Sequence, residues 1–514
     1  MKKLPIGKQT LVKLIEEDCI YVDKTELIYQ LISEGSYYFL SRPRRFGKSL
    51  LVDTLKQIFL GNKELFKGLW IENQIDWQPY PVIHIDFSGT GYKSSGLPEA
   101  ISGMMEREAA HHGIQLTERT YDQKFRELVV KLSEKGQVVI LIDEYDKPII
   151  DYLDNIPQAV ENREILKTFY SPVKPLDPYL KFVLITGVSK FSHVSIFSDL
   201  NNLRDITVSP QFAKLLGITF EEILQYFDAY LSKWEKQFGS RDALLESIRH
   251  WYDGYSWDGI NFVYNPFSLI NFFADGQFAN YWFRTGTPTF LTKLVKTGNF
   301  NVPEFEQLVT TSSVLDKFEI ENIELAGILF QTGYLTIKKK EGEYYILGYP
   351  NHEVRQSWFE HLLAMLNEAR LQSNNSILWR MKDSLLSGQT ETFMLLLKEI
   401  FASLTYPQIE RKESYYHSIF YLTVKLLGIE IESEVLTSFG RVDVAITTRD
   451  SVYVTEFKRG TAAEALEQIR KMRYAEKYAG SGKQIILLGI GFDMDQRTIG
   501  SWEEARFKDS RGSC

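Results

Sequence analysis

The chain has 514 residues, of which 44% are hydrophobic and 25% charged, a composition typical of folded proteins. That length exceeds one ordinary core, so two to four domains are expected. The net charge of −8 argues against broad coating of nucleic acid, and two cysteines, Cys19 and Cys514, exclude a disulfide framework or a zinc ribbon.

So few cysteines suit a reducing cytoplasm. Met1-Lys2-Lys3-Leu4-Pro5 is not followed by the apolar stretch of a signal peptide, and the apolar runs are strand-sized. A cytoplasmic protein without a membrane span is expected.

In chain order, Tyr37-Tyr38-Phe39-Leu40 reads as a strand and Leu50 to Leu60 as an apolar-periodic helix. Between them stands Arg42-Pro43-Arg44-Arg45-Phe46-Gly47-Lys48-Ser49. Strand, tight loop, Gly-Lys-Ser and helix is the arrangement that cradles a nucleotide phosphate. Loop and helix-start N–H groups would then face the phosphates, Lys48 would reach the β/γ oxygens, and the Ser49 hydroxyl would bind Mg²⁺. The pattern departs at its first glycine, which is Arg42 here. Pro43 then fixes one φ angle, and Arg42, Arg44 and Arg45 add positive charge around the anion. The alternative is a basic surface loop ahead of a helix.

Val82 to Phe87 is a further strand candidate. Val138 to Ile142 is a continuous apolar run ending in Asp143 and Glu144, as suits a strand buried on both faces of a parallel sheet. Such strands deliver polar groups at their C-terminal ends, where ligands bind. Asp143 is expected to hold Mg²⁺ through Ser49 or water, and Glu144 to polarise the attacking water. Lys181 to Gly187 repeats the pattern, ending in Thr186. Ser189 and Lys190 beyond it either sense the γ-phosphate or cap the next turn. Arg204 reads as a surface arginine rather than an arginine finger.

From about 211 to 280 the pattern turns helical, with Phe220 to Phe227 clearly amphipathic. The aromatic stretch Trp251 to Gly259 is expected to pack a loop onto this lid, stacking on bases being the alternative. Helix-like Ile323 to Thr332, strands Tyr334–Ile337 and Tyr344–Leu347, and a helix from His352 to Ala369 resemble a winged-helix module. Its hairpin tip, Lys338 to Glu341, reads as a solvated loop, and Leu371 to Ser376 as a surface link.

Gly440 to Ile446 looks like a strand carrying the lone acid Asp443, and Val452 to Lys458 like its hairpin partner. Alternation puts Glu456 and Lys458 on one face and Phe457 on the other. An acid and a lysine on an apolar strand are costly to bury without a partner such as a metal. Asp, then Glu-x-Lys, is the arrangement of metal-dependent nucleases: carboxylates hold the ion and lysine orients or deprotonates water. A helix from Ala462 to Ala479 would place Arg470, Arg473 and Lys477 on one face for a phosphate backbone. Glu413, at a helix start with Tyr415, Tyr416 and His417, is a candidate further acid, with Glu434 as its competitor. The bland alternative is a half-buried hairpin with a surface Glu–Lys pair.

These residues together resemble a bacterial family that pairs an AAA-ATPase-like domain with a C-terminal PD-(D/E)XK nuclease-like domain. The carrying segments are Tyr21 to Thr25, Arg42 to Ser49, Ile142 to Asp146, Thr186 to Phe191, Phe197 to Leu203, Tyr264-Asn265-Pro266, Gly440 to Asp443 and Glu456-Phe457-Lys458. The resemblance implies an α/β fold: a P-loop NTPase (AAA-like) parallel sheet with a helical lid, a winged-helix-like middle region, and a C-terminal α/β PD-(D/E)XK nuclease-like domain. The corresponding spans are 1–210, 211–300, 301–400 and 401–514. It implies ATP held by Arg45, Phe46, Gly47, Lys48, Ser49, Asp143 and Thr186, with Mg²⁺ on Ser49 and Asp143. At the second site it implies Mg²⁺, or alternatively Mn²⁺, on Asp443 and Glu456, with Lys458, Glu413 and Gln468 completing the catalytic set. Many nucleases of this kind carry a tyrosine four residues after such a glutamine. Met472 stands there, leaving Tyr474 or Tyr478 to substitute.

The leading expectation is an ATP-regulated DNA nuclease in phage defence or DNA processing, with ATP and DNA as partners, no membrane, and self-association into a homo-oligomer compatible with it. The rival is a nucleotide-switched regulatory protein whose nuclease-like domain binds without cutting. A helicase ranks third, since no second set of motor motifs is evident.

Overall fold

The continuous apolar runs of the N-terminal part become strands: β1 (Tyr37–Ser41), β2 (Val82–Asp86), β3 (Val138–Asp143), β4 (Leu180–Gly187) and the short β5 (Arg204–Asp205). They pair in parallel in the order β2-β3-β4-β1-β5. Every residue of β3 is buried, as its uninterrupted Val/Ile/Leu run requires. Because β4 lies between β1 and β3, the loop leaving β1 and the acidic end of β3 flank the end of β4. The computed structural model describes the chain apart from residues 191–196, 198–199, 201, 284–301, 317–319, 321–323, 367–370, 403–412, 438–439, 497 and 508–514. Parts of the expected Thr186–Phe191 and Phe197–Leu203 segments therefore lie outside the described residues.

The chain divides into two units: Met1–Phe290 with Leu308–Arg355, and Leu291–Gln307 with Gln356–Cys514. In the first, the helix Lys48–Phe59 buries Leu51, Val52, Leu55 and Ile58. The lid consists of helices Phe220–Tyr226, Asp228–Trp234, Arg241–Tyr252 and Pro266–Asp275. They close on one apolar cluster that includes Ile223, Phe227, Leu244, Ile248 and Phe273. Thr219 and Glu222 form a reciprocal capping box that starts the first of them.

Helix Leu325–Thr332, strands β7 (Thr336–Glu341) and β8 (Tyr344–Gly348), and helix His352–Leu366 follow in the expected order. An additional strand, β6 (Leu308–Thr311), pairs antiparallel with β8. Of the hairpin lysines, Lys338 donates to the Pro350 carbonyl and Lys339 pairs with Glu341.

Glu353 in this unit is fully buried and accepts from the Trp282 N–H at 2.7 Å. Burial pushes its carboxyl up to about 7. With a folded value above the ordinary one, the native state holds the proton more tightly, so stability falls as pH rises from about 4.5 through about 7. Glu353→Gln keeps an acceptor without the charge. It is expected to stabilise the unit by about 3 kcal/mol at pH 8 and to give no gain below about pH 4.5. Melting curves of both proteins across that range measure this. A wild-type-to-variant difference that does not change with pH would contradict it.

In the second unit, β9 (Glu430–Thr437), β10 (Gly440–Thr447), β11 (Ser451–Lys458), β12 (Gln484–Asp493) and β13 (Thr498–Arg506) form a mixed sheet in the order β13-β12-β11-β10-β9. Only the β11–β12 pairing within it is parallel. Val442, Val452, Val454, Leu466 and Ile469 are in its core. The expected surface link 371–376 is instead the start of a helix, Leu371–Leu386. Met381 and Leu385 on that helix are buried, so apolar spacing further along prevails over the polar first turn. No helix among the described residues is long and apolar enough to cross a membrane.

Candidate functional sites

The loop after β1 turns because both Arg45 (φ 70°) and Gly47 (φ 94°) adopt left-handed backbone. Glycine reaches this region freely, whereas arginine there costs roughly 1 kcal/mol. Gly47 is the N-cap of helix Lys48–Phe59 and brings no capping side chain, so the first amides stay available to an anion. Lys48 is buried, and its Nζ donates to the carbonyls of Arg42 (2.9 Å) and Pro43 (3.1 Å). Burial lowers its pKa, while Asp143, Glu144 and Asp146 oppose that shift.

Arg42 does not contribute to the positive surface expected around the anion. It is 1% exposed and donates from Nη1 to the carbonyls of Ser41 (2.9 Å) and Thr207 (2.6 Å). Its guanidinium lies over the Trp257 ring at 4.0 Å, and burial draws its pKa down to about 9. The aromatic stretch accounts for this. Trp257 covers Arg42, and Tyr255 and Trp257 meet Phe46 edge-on at 4.7 and 5.3 Å. Tyr255 and Trp257 thus pack on the loop after β1, while Trp251 and Tyr252 pack in the lid cluster as expected. Pro43 is held from another side by Gly333, where a Cβ would come within 2.7 Å of it.

The ends of β3 and β4 complete the first site. Ser49 Oγ donates to Asp143 Oδ2 and Thr186 Oγ1 donates to Asp143 Oδ1, both at 2.6 Å. Ser49, Asp143 and Thr186 are therefore brought together, a hydroxyl and a carboxylate placed as a Mg²⁺ site needs, directly or through water. Glu144 follows at φ 52°, and burial raises its carboxyl pKa against the pull of Lys48. Ser189 and Lys190 are turned to structural partners instead: Ser189 Oγ to Asp146 (2.7 Å) and Lys190 Nζ to Asp205 (2.7 Å). Arg204 is exposed and faces Glu34 and Gln211.

A cavity of about 500 Å³ joins Arg45, Lys48, Ser49 and Glu144 to an apolar wall that includes Val22, Leu216, Ile218 and Phe267. Its size and mixed lining suit a nucleotide. Lys24, whose Nζ meets Glu222 at 2.6 Å, ties the N-terminal wall to the lid. Sequence reasoning assigned no role to this wall. The signal was Asp23, whose Oδ1 accepts from the Thr25 N–H and hydroxyl ahead of helix Thr25–Glu34.

In the second unit, β10 and β11 run antiparallel with Val444 opposite Thr455, which brings Asp443 beside Glu456. Asp443 Oδ2 accepts from the Phe457 N–H at 2.9 Å. Lys458 Nζ lies 3.4 Å from Glu456 Oε1, and Gln468 Nε2 donates to the same oxygen. Phe457 points the other way, packed between His417, Phe420 and Phe492. Glu456 is 2% exposed, and burial together with the Asp443 charge pushes its carboxyl up to about 7. A pair of carboxylates is what Mg²⁺ commonly takes from a protein. Among the described residues no group of three or more His, Cys, Asp or Glu is placed to hold a metal.

Glu413 begins the helix Glu413–Leu426, but its side chain lies outside the described residues. Glu434 pairs with Arg441 at 3.1 Å. His417, four positions after Glu413, neighbours Asp443, and burial lowers its pKa to about 4. Its placement was not foreseen, though spacing i, i+4 from Glu413 was the available signal. The expected helix to Ala479 ends at Lys471, because Arg473 turns left-handed (φ 50°) and a 3₁₀ segment follows. Arg470, Arg473 and Lys477 therefore share no single helix face. Arg473 pairs with Glu476, and Lys477 donates to the Leu436 carbonyl. Tyr474 is buried in the core, with Tyr478 at its margin.

A predicted AAA-ATPase family model matches residues 5–197, and a PD-(D/E)XK nuclease superfamily model matches residues 411–502. A relative from Azotobacter chroococcum mcd 1, "Uncharacterized protein in vnfD 5'region", is 39% identical over 517 residues, covering 97% of this chain and 98% of that protein.

Proposed function

The chain belongs to the family that joins a predicted AAA-ATPase to a PD-(D/E)XK nuclease superfamily domain, and on that premise we propose that it is an ATP-hydrolysing, ATP-controlled DNA nuclease of the cytoplasm. The observation that carries the reading is that each unit gathers its own set of groups for phosphate chemistry. One set is Lys48, Ser49, Asp143, Glu144 and Thr186; the other is Asp443, Glu456, Lys458 and Gln468.

At the first site the loop amides receive the phosphates, and Lys48 exchanges its two loop carbonyls for phosphate oxygens. Ser49 and Asp143 would hold Mg²⁺, with Thr186 fixing the Asp143 carboxylate. Glu144 accepts the proton side of the attacking water. At the second site Asp443 and Glu456 would hold Mg²⁺ or Mn²⁺. Such an ion supplies charge neutralisation and a more acidic water when bound. Gln468 keeps Glu456 in place, and Lys458 orients the nucleophile or steadies the developing phosphate charge.

A second reading rests on one observation. The Glu456 carboxylate is buried and already engaged by Lys458 and Gln468, which suits a nucleotide-switched protein whose second domain binds nucleic acid without cutting it. Incubation of the protein with single- and double-stranded DNA, in Mg²⁺ or Mn²⁺, with and without ATP, separates the two. Metal-dependent cleavage that ATP changes by about tenfold or more is expected. No cleavage in any condition would leave the switch reading standing.

A further inference from the structure

We propose that Asp146 is a positioning residue for ATP hydrolysis, clamping the end of β4 onto the acidic end of β3; this rests on the ATPase reading above. Its side chain is 1% exposed. Oδ2 accepts three hydrogen bonds, from the N–H groups of Val188 (3.1 Å) and Ser189 (2.7 Å) and from Ser189 Oγ (2.7 Å). Tyr145 adds two more links: its N–H donates to the Thr186 carbonyl and its hydroxyl to the Ser189 carbonyl, both at 3.0 Å. Residues 145–146 and 186–189 are thus joined as one block.

Gly187 makes the block possible. A Cβ there would lie 2.6 Å from the Tyr145 ring and 2.7 Å from Asp146 Oδ1. Such distances are far inside contact range, so a side chain would force the two strand ends apart. On the near side of Gly187 the block fixes Thr186, whose hydroxyl holds Asp143. Asp143 in turn holds Ser49. On the far side it fixes Lys190, whose N–H donates to Gln331 Oε1 at 2.7 Å. Gln331 is buried in helix Leu325–Thr332, and its Nε2 donates to the Leu315 carbonyl. One carboxylate therefore connects the phosphate-site residues to the helix ahead of the β7–β8 hairpin.

The charge argues for a role in turnover rather than in affinity. Asp146 lines the same cavity as Lys48 and Ser49. Its carboxylate is spent on the end of β4 rather than turned to that cavity, so it holds geometry and does not itself bind phosphate. A charged acceptor makes its hydrogen bonds about twice as strong as a neutral one, which suits a group that must hold three donors to one geometry. Misplacement by about 1 Å at such a site can cost about 100-fold in rate.

The test is steady-state ATPase kinetics with nucleotide affinity measured separately, on the full chain. Asp146→Ala is expected to keep ATP affinity within about threefold while kcat falls about 30-fold or more. Asp146→Asn, which still accepts through its amide oxygen but lacks the charge, is expected to recover only part of that loss. Ser189→Ala removes only the hydroxyl donor and is expected to cost kcat about threefold with KM unchanged. Should the alanine variant not fold, the Ser189→Ala split decides. Wild-type kcat in the folded variants would overturn the clamp alone, as would a loss confined to affinity. A wild type that binds ATP without turning it over would overturn the clamp together with the ATPase reading.

Discussion

Lys458→Ala is expected to lower DNA cleavage by about three orders of magnitude, while ATP turnover stays at the wild-type level. The ammonium lies 3.4 Å from Glu456 Oε1, and its side chain is one-third exposed. It is thus held at the acid pair and still open to a substrate. Removing it has two consequences. The developing phosphate charge loses its cation, and Glu456, already pushed up to about 7 beside Asp443, loses the group that favours its ionised form. The same ammonium also repels a divalent ion, so its loss does not by itself weaken metal binding. The variant is therefore expected to cut more slowly while still binding Mn²⁺ at pH 7 by calorimetry. Cleavage by the variant at the wild-type rate would remove the second site from the chemistry. An Lys458→Arg variant is not expected to restore activity, since a planar guanidinium cannot place a point charge at the same atom.

Glu144→Gln is expected to retain ATP while turnover falls about 100-fold or more. The amide matches the carboxylate in size and keeps an acceptor, but it cannot take a proton. Little of the fold depends on the charge, because the hydrogen bond Glu144 makes to Asp143 comes from its backbone N–H, at 3.0 Å. Its left-handed backbone (φ 52°) is no worse for glutamine than for glutamate. The variant should therefore trap the ATP-bound state, and a filter or fluorescence assay with labelled nucleotide would show retention over many wild-type turnovers. If ATP state controls the nuclease, the same variant fixes DNA cleavage at its ATP-bound rate and abolishes its decay as ATP is consumed. Wild-type turnover by Glu144→Gln would assign the base to another group.

Much of this was legible because local sequence and global fold agree. Uninterrupted runs such as Val138 to Ile142 suit a strand covered on both faces, as in a parallel sheet, and the polar residue that ends each run falls at the same edge. Alternation in β11 separates Glu456 and Lys458 from Phe457 whatever the strand pairs with. Gly47 before Lys48 and Ser49 marks a helix start that leaves its amides free. Other features depended on partners distant in the chain. Arg42 reads as surface charge until Trp257 and Thr207 are seen to enclose it. Ser189 and Lys190 read as γ-phosphate sensors or turn caps until Asp146 and Asp205 are found beside them. The turn at Arg473 stops a helix that apolar periodicity would have continued, and no glycine or proline announces it.

The sequence by itself determined which residues are candidates for phosphate chemistry and at which strand ends they stand, because motif spacing and strand period are local properties. Only the tertiary structure decided which of the basic and polar groups reach a site and which are used up holding it. That outcome depends on strand order, on close approaches such as Gly187 to Asp146 and Gly333 to Pro43, and on burial. Each of these is a relation between segments tens to hundreds of residues apart. A buried charge takes the nearest partner that space, rather than sequence, provides.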